Sequence, residues 1–273
     1  GAAVAVRQRG VNGMDVVYEY DGTLEGFLCC VYDSYVYKES PVGFSADEGS
    51  LSLYEVRAVV TDAAHGRRVY QGLVRRSGKA ANILQRAFLT CMEDKEMRLY
   101  AFVRRVFQEG GGFMQDLSDP VCYPLHKAIR HMNGELEKLR GFVRFSDYNG
   151  VLGAVIEPKN RVLPLLRHHF CDRYANETFF IFDRTHREVL LYARGVSRIA
   201  PLEHLELAVP DDKELQYRRL WKTFFETVAI PERKNPRCQD TFLPKRYRGV
   251  MTEFLPAEYE KASGQMERPQ LPT

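Results

Sequence analysis

Asp15-Val16-Val17-Tyr18-Glu19-Tyr20-Asp21-Gly22-Thr23-Leu24-Glu25-Gly26-Phe27-Leu28 decides how the first part of the chain folds. Residues 15–20 alternate β-formers and stop at Asp21-Gly22, a turn dipeptide. Thr23 then offers a side-chain oxygen to the orphan N–H groups of a helix that carries Leu24, Phe27, Leu28, Val31 and Tyr35 at intervals of three and four. The segment reads as strand, tight turn, helix.

Outward from there, a polar stretch over residues 38–50 leads to a second strand over residues 51–60. Thr61 or Asp62 can cap the helix that follows, through Val69, Leu73 and Val74. The opening is therefore β-α-β-α. Across residues 80–107 the apolar positions Ile83, Leu84, Ala87, Phe88, Cys91, Leu99, Phe102, Val103 and Val106 recur at helical spacing, which predicts two packed helices. Gly110-Gly111-Gly112 cannot extend a helix cheaply and lacks the Lys-Ser/Thr that completes a phosphate-binding P-loop, so it reads as a domain boundary.

Asp119-Pro120 opens a helix with a capping side chain and a proline at the first helical position, and Leu125, Ala128, Ile129, Met132, Leu136 and Leu139 mark its apolar face to about Arg140. Strands over residues 142–145 and 151–156 then meet across Asn149-Gly150, a strong hairpin signal. A helix through Val162, Leu163, Leu165, Leu166 and Phe170 leads to a second hairpin, residues 179–182 with 189–192. The expected fold class is α+β: a small N-terminal β-α-β-α with further helices, then an antiparallel sheet of two hairpins covered by helices. The expected divisions are residues 14–112 and 113–260. Residues 1–13 read as an addition ahead of a native start at Met14, and residues 261–273 as a polar, proline-containing tail.

With 45% hydrophobic residues the chain can bury a core, and its formal charge of +3 names no partner by itself. No apolar run approaches the roughly 20 residues that cross a bilayer and no signal-type leader opens the sequence, so a cytoplasmic protein without membrane contact is expected. The six cysteines form no C-x-x-C spacing, and no metal or cofactor is expected. Dinucleotide and G-x-S-x-G fingerprints are absent, which disfavours the enzyme classes built on them.

Three features bear on chemistry. Between Arg218 and Arg248 nine cationic residues face three acidic ones, and Arg233, Lys234, Arg237, Lys245, Arg246 and Arg248, with Arg144 from the first hairpin, are candidates for phosphate contact. Tyr247 among them is a candidate for stacking on a base. The alternative is a solvated basic face balancing acids elsewhere. Tyr217, Leu220, Trp221, Phe224, Phe225 and Val228 form a helical stripe that reads as core. His168, His169, Asp172 and Arg173 share one predicted helix; adjacent histidines cannot both face one way, so one should point inward and one to solvent.

Tyr18-Glu19-Tyr20-Asp21-Gly22-Thr23-Leu24-Glu25-Gly26-Phe27 resembles the opening of a bacterial family of DNA-metabolism and DNA-repair proteins, with its Y-D-G-[ST]-[FL]-E-G-[FL] pattern. Glu135, Gly141-Phe142-Val143-Arg144-Phe145, Glu157-Pro158, His169-Phe170 and Arg173 are similar to that family's shared domain. Leu220 to Phe225, Arg233 to Pro236 and Leu243 to Tyr247 are similar to its C-terminal block. The resemblance implies a nucleic-acid-binding accessory protein, related to domains fused to uracil-DNA glycosylases and acting beside a radical-SAM protein on DNA or another nucleic acid. Two alternatives stay open: an enzyme acting on a nucleotide or base with Glu135, Glu157, His169 and Arg173 around one pocket, and an adaptor that docks the radical-SAM protein. Glu137 stands where the family tends to have histidine, which weakens a mechanism needing that histidine, and Arg248 stands where an aromatic is usual.

Overall fold

A computed structural model describes residues 15–46, 53–148 and 150–205, together with Tyr247. The chain divides into two compact units, Gly1–His131 and Met132–Thr273, with the division inside a long helix.

Unit 1 is built on β1 (Asp15–Glu19), α1 (Leu24–Val36), β2 (Ser40–Ser45), β3 (Glu55–Ala58), α2 (Ala63–Arg76), α3 (Gly78–Phe88) and α4 (Lys95–Glu109). β1 lies between β2 and β3 and runs parallel to both. The predicted strand, turn and helix form as read: Thr23 Oγ1 accepts from Gly26 N at 2.9 Å, and Asp21 accepts from Thr23 N and from Thr61 Oγ1. Gly26 is required there, because a Cβ would meet Asp21 Oδ1 at 2.2 Å. Of the two caps open for α2, Asp62 takes the role, accepting from Ala64 N and His65 N.

The stretch expected to be polar and loop-like contains β2, so the opening is β-α-β-β-α rather than β-α-β-α. Ser40-Pro41-Val42-Gly43 carries turn residues, and pairing with β1 through a register shift makes it a strand. Val16 and Tyr18 of β1, and Tyr20 just after it, are buried in a core shared with Phe27, Leu73, Leu84, Phe102 and Val106. Burial pushes the thiols of Cys29 and Cys30 up, as expected of structural cysteines.

The long helix is α5 (Cys122–Phe142), opened by buried Asp119, whose Oδ1 accepts from Val121 N and Cys122 N. It runs two residues past the predicted end, so Phe142 is helical rather than the start of a strand, and β4 is only Ser146–Asp147. Unit 2 continues with β5 (Leu152–Ile156), α6 (Leu163–Arg173), β6 (Phe179–Asp183), β7 (Glu188–Ala193) and β8 (Val196–Pro201), in sheet order β4-β5-β6-β7-β8.

The second predicted hairpin forms as read, whereas in the first the antiparallel partner of β5 is Ser146–Asp147 rather than residues 142–145. Ser146 opposes Gly153, and Phe179 opposes Tyr192. The expectation of a wholly antiparallel sheet needs correction, since β5 and β6 are parallel. A helical crossover, β5-α6-β6, returns the chain in the same direction, which forces that pairing when the two strands are neighbours. The α+β class stands, with one parallel sheet and one mixed sheet. Phe145, Phe170, Tyr174, Phe179 and Tyr192 form a continuous aromatic core with ring centroids 4.9–6.3 Å apart.

Candidate functional site: an arginine and histidine pocket between α5 and α6

The last turns of α5 and α6 frame a pocket of about 690 Å³ lined by Arg140, His168, His169, Asp172 and Arg173. Pro164 sits in the first turn of α6, and buried Leu163, Leu166 and Phe170 fix which face turns inward. That places His168 and Asp172 outward, one turn apart, with His168 Nδ1 2.7 Å from Asp172 Oδ2 and the histidine side chain 89% exposed. His169 is half-buried against Phe170, as the sequence argument for a split pair requires.

Two polar atoms in this pocket are buried without a hydrogen-bond partner among the described residues: Arg140 Nε and His169 Nε2. Arg140 also uses one terminal nitrogen on Glu137 at 2.7 Å. Arg173 lies over the Tyr174 ring at 5.9 Å and makes no ion pair among the described residues. Burial lowers the pKa of His169, with Arg140 and Arg173 pushing the same way, so its imidazole is neutral at neutral pH. Two guanidiniums stand against one carboxylate in the lining. Both arginines occupy final helical turns, where a cation also offsets the C-terminal helix dipole. Chemically, the excess of guanidinium over carboxylate in the lining suits an oxyanion.

The four residues named for catalysis are not brought together. His169 and Arg173 line the pocket, but Glu135 and Glu157 do not. Glu135 is buried on α5, and its carboxylate accepts from Lys159 N at 3.0 Å, Asn160 N at 2.8 Å and Asn160 Nδ2 at 2.7 Å. It holds the loop between β5 and α6 in place. Glu157 pairs with Arg184 at 2.5 Å on the surface.

Among the residues named for nucleic-acid contact, Arg144 donates to the Gly141 carbonyl at 2.9 Å and so caps the end of α5. Tyr247 is 2% exposed, with its ring 5.7 Å from that of Phe142, so it packs in the interior rather than offering a face to a base. Arg233, Lys234, Arg237, Lys245, Arg246 and Arg248 lie outside the described residues. Arg140 was not singled out by sequence reasoning, because it belongs to a different helix and no local spacing links it to His169. No group of three or more metal-ligating side chains gathers among the described residues, and no helix among them is long and apolar enough to cross a membrane.

The fold and pocket define a two-unit α+β protein with a cationic hollow between two helix ends. The family described as "Domain of unknown function (DUF4130)" matches residues 93–253, more than half of the chain, and the chain belongs to that family. All five pocket residues lie within the match. No curated protein matches the chain.

Proposed function

We propose that the chain is a nucleic-acid-binding accessory protein of DNA metabolism or repair, holding a backbone phosphate in the α5–α6 pocket. The observation that carries this reading is the lining itself, two arginines against one carboxylate, with Arg173 in no ion pair among the described residues. A backbone phosphate matches guanidinium groups in both charge and geometry.

The basic C-terminal segment supports the same reading. It carries nine cationic residues against three acidic ones over residues 218–248. Action beside a radical-SAM protein, and kinship with domains fused to uracil-DNA glycosylases, complete the proposal on the strength of the sequence resemblance.

The test is fluorescence anisotropy of labelled single- and double-stranded oligonucleotides over a salt series, with the full chain and with R140Q/R173Q. Removal of each arginine–phosphate interaction should reduce the slope of log K against log salt by about 0.7–0.9. No binding at low salt overturns the proposal, as does a double variant that binds like the parent.

A further inference from the structure

A second cationic surface lies in unit 1, on residues that play no part in the pocket. Residues 63–92 contain no Asp or Glu, in a chain whose 36 acidic residues nearly match its 39 basic ones. The same stretch carries Arg67, Arg68, Arg75, Arg76, Lys79 and Arg86. Its first helix, α2, buries Gly66, Val69 and Leu73. Arg67, Arg68, Arg75 and Arg76 are all exposed on the remaining part of its circumference. None of these four forms an ion pair among the described residues, although Glu25 borders the shallow depression that Arg67 enters.

Spacing along the helix distinguishes this surface from a merely solvated one. Arg68 and Arg75 are seven residues apart and share one face. At about 1.5 Å of rise per residue, the pairs Arg67/Arg68 and Arg75/Arg76 lie about 12 Å apart, close to the roughly 12 Å width of the B-DNA major groove. Every permanently charged side chain on the helix is arginine, whose planar fork suits bidentate phosphate contact. An anionic membrane fits poorly, because interfacial helices insert an apolar face and that of α2 is spent on the core.

We infer that the exposed face of α2, through Arg67, Arg68, Arg75 and Arg76, is a docking surface for the phosphate backbones of double-stranded nucleic acid. It gives the chain a second contact on the duplex, reached from unit 1. The residues that carry it precede the family match at 93, so the contact belongs to the part of the chain outside that match.

The experiment measures full-chain binding to a labelled 20-base-pair DNA duplex, to the corresponding single strand and to vesicles of anionic phospholipid, each over a salt series. Three double variants are compared with the parent: R68Q/R75Q on α2, R140Q/R173Q in the pocket, and R130Q/R194Q as an equal charge change at exposed sites elsewhere. Glutamine keeps helix propensity near that of arginine, and thermal melts should confirm folding. The inference predicts that R68Q/R75Q weakens duplex binding about tenfold near physiological salt and reduces the salt slope by about 2, with R130Q/R194Q close to the parent. It is overturned if R68Q/R75Q and R130Q/R194Q behave alike, if only single-strand or vesicle binding responds, or if no duplex binding occurs. Weakening confined to R140Q/R173Q overturns the α2 surface and leaves the pocket reading intact. Weakening confined to R68Q/R75Q does the reverse.

Discussion

The two units solve the same problem, a buried carboxylate, in different ways. Unit 1 opens α5 with Asp119 and neutralises it with a cation, Arg105, at 2.7 Å. Unit 2 buries Glu135 and surrounds it with the N–H groups of Lys159 and Asn160 and the amide of Asn160. The first solution fastens a side chain of one helix to the start of another. The second fixes the backbone of a loop, the one that carries the chain from β5 into α6 and so sets where His169 and Arg173 stand. Unit 2 therefore depends on a polar contact for the shape of its pocket, whereas the sheet of unit 1 rests on an apolar core.

The sharpest way to break that contrast is to remove its apolar half. Phe27 is fully buried, with its ring 5.5 Å from Phe44 and 6.0 Å from Phe88. Phe27→Ala should cost about 3–5 kcal/mol, read as a shift in the denaturant midpoint. The polar half comes next. Glu135→Ala leaves three donors, two of them buried, without these acceptors and should cost about 2–4 kcal/mol, with Glu135→Gln losing less because one amide oxygen remains to accept. Hydrogen exchange sharpens the result: Lys159 and Asn160 amides should lose protection in both variants of Glu135. If they do not, the carboxylate does not hold the loop. A smaller effect is expected at the start of α1, where Thr23→Ala removes the cap to Gly26 N and should cost about 1 kcal/mol by the same midpoint measurement.

Those residues also mark how far the sequence could be read. Thr23, Asp62 and the 179–192 hairpin were legible because each is set by chemistry within a few residues: a side-chain oxygen facing free N–H groups, or alternating apolar positions about a turn. β2 and β8 were not. β2 becomes a strand only by pairing with β1, against its own proline and glycine. β8 follows a tight turn at Arg194-Gly195, where Gly195 at φ +80° is the only local mark. The parallel β5–β6 pair was missed for a related reason: two good hairpin signals said nothing about which strands of different hairpins adjoin. In the site, the adjacency of His168 and His169 on one helix announced that one would face inward and one outward. Arg140 and the loop held by Glu135 could not be seen, since both depend on how α5 packs against elements later in the chain.

The smallest predicted effect concerns His169 and follows from the pocket's charge. Its folded pKa lies below the ordinary value of about 6.5, through burial first and then Arg140 and Arg173, while Glu137 and Asp172 pull the other way. As pH falls through 6.5 the unfolded chain takes up the proton before the folded one, so this group lowers stability on acidification and has no effect well above that pH. His169→Gln should flatten that part of the stability profile between pH 7 and pH 5, measured by denaturant midpoints. A bound phosphate reverses the balance, because an anion beside the imidazole favours its protonated form. Oligonucleotide binding should then be accompanied by proton uptake and tighten as pH falls from 8 to 6 in the parent, with a weaker trend in the His169→Gln variant. Tightening of equal size in both would place the titrating group elsewhere, and would remove His169 from the phosphate site while leaving Arg140 and Arg173 in it.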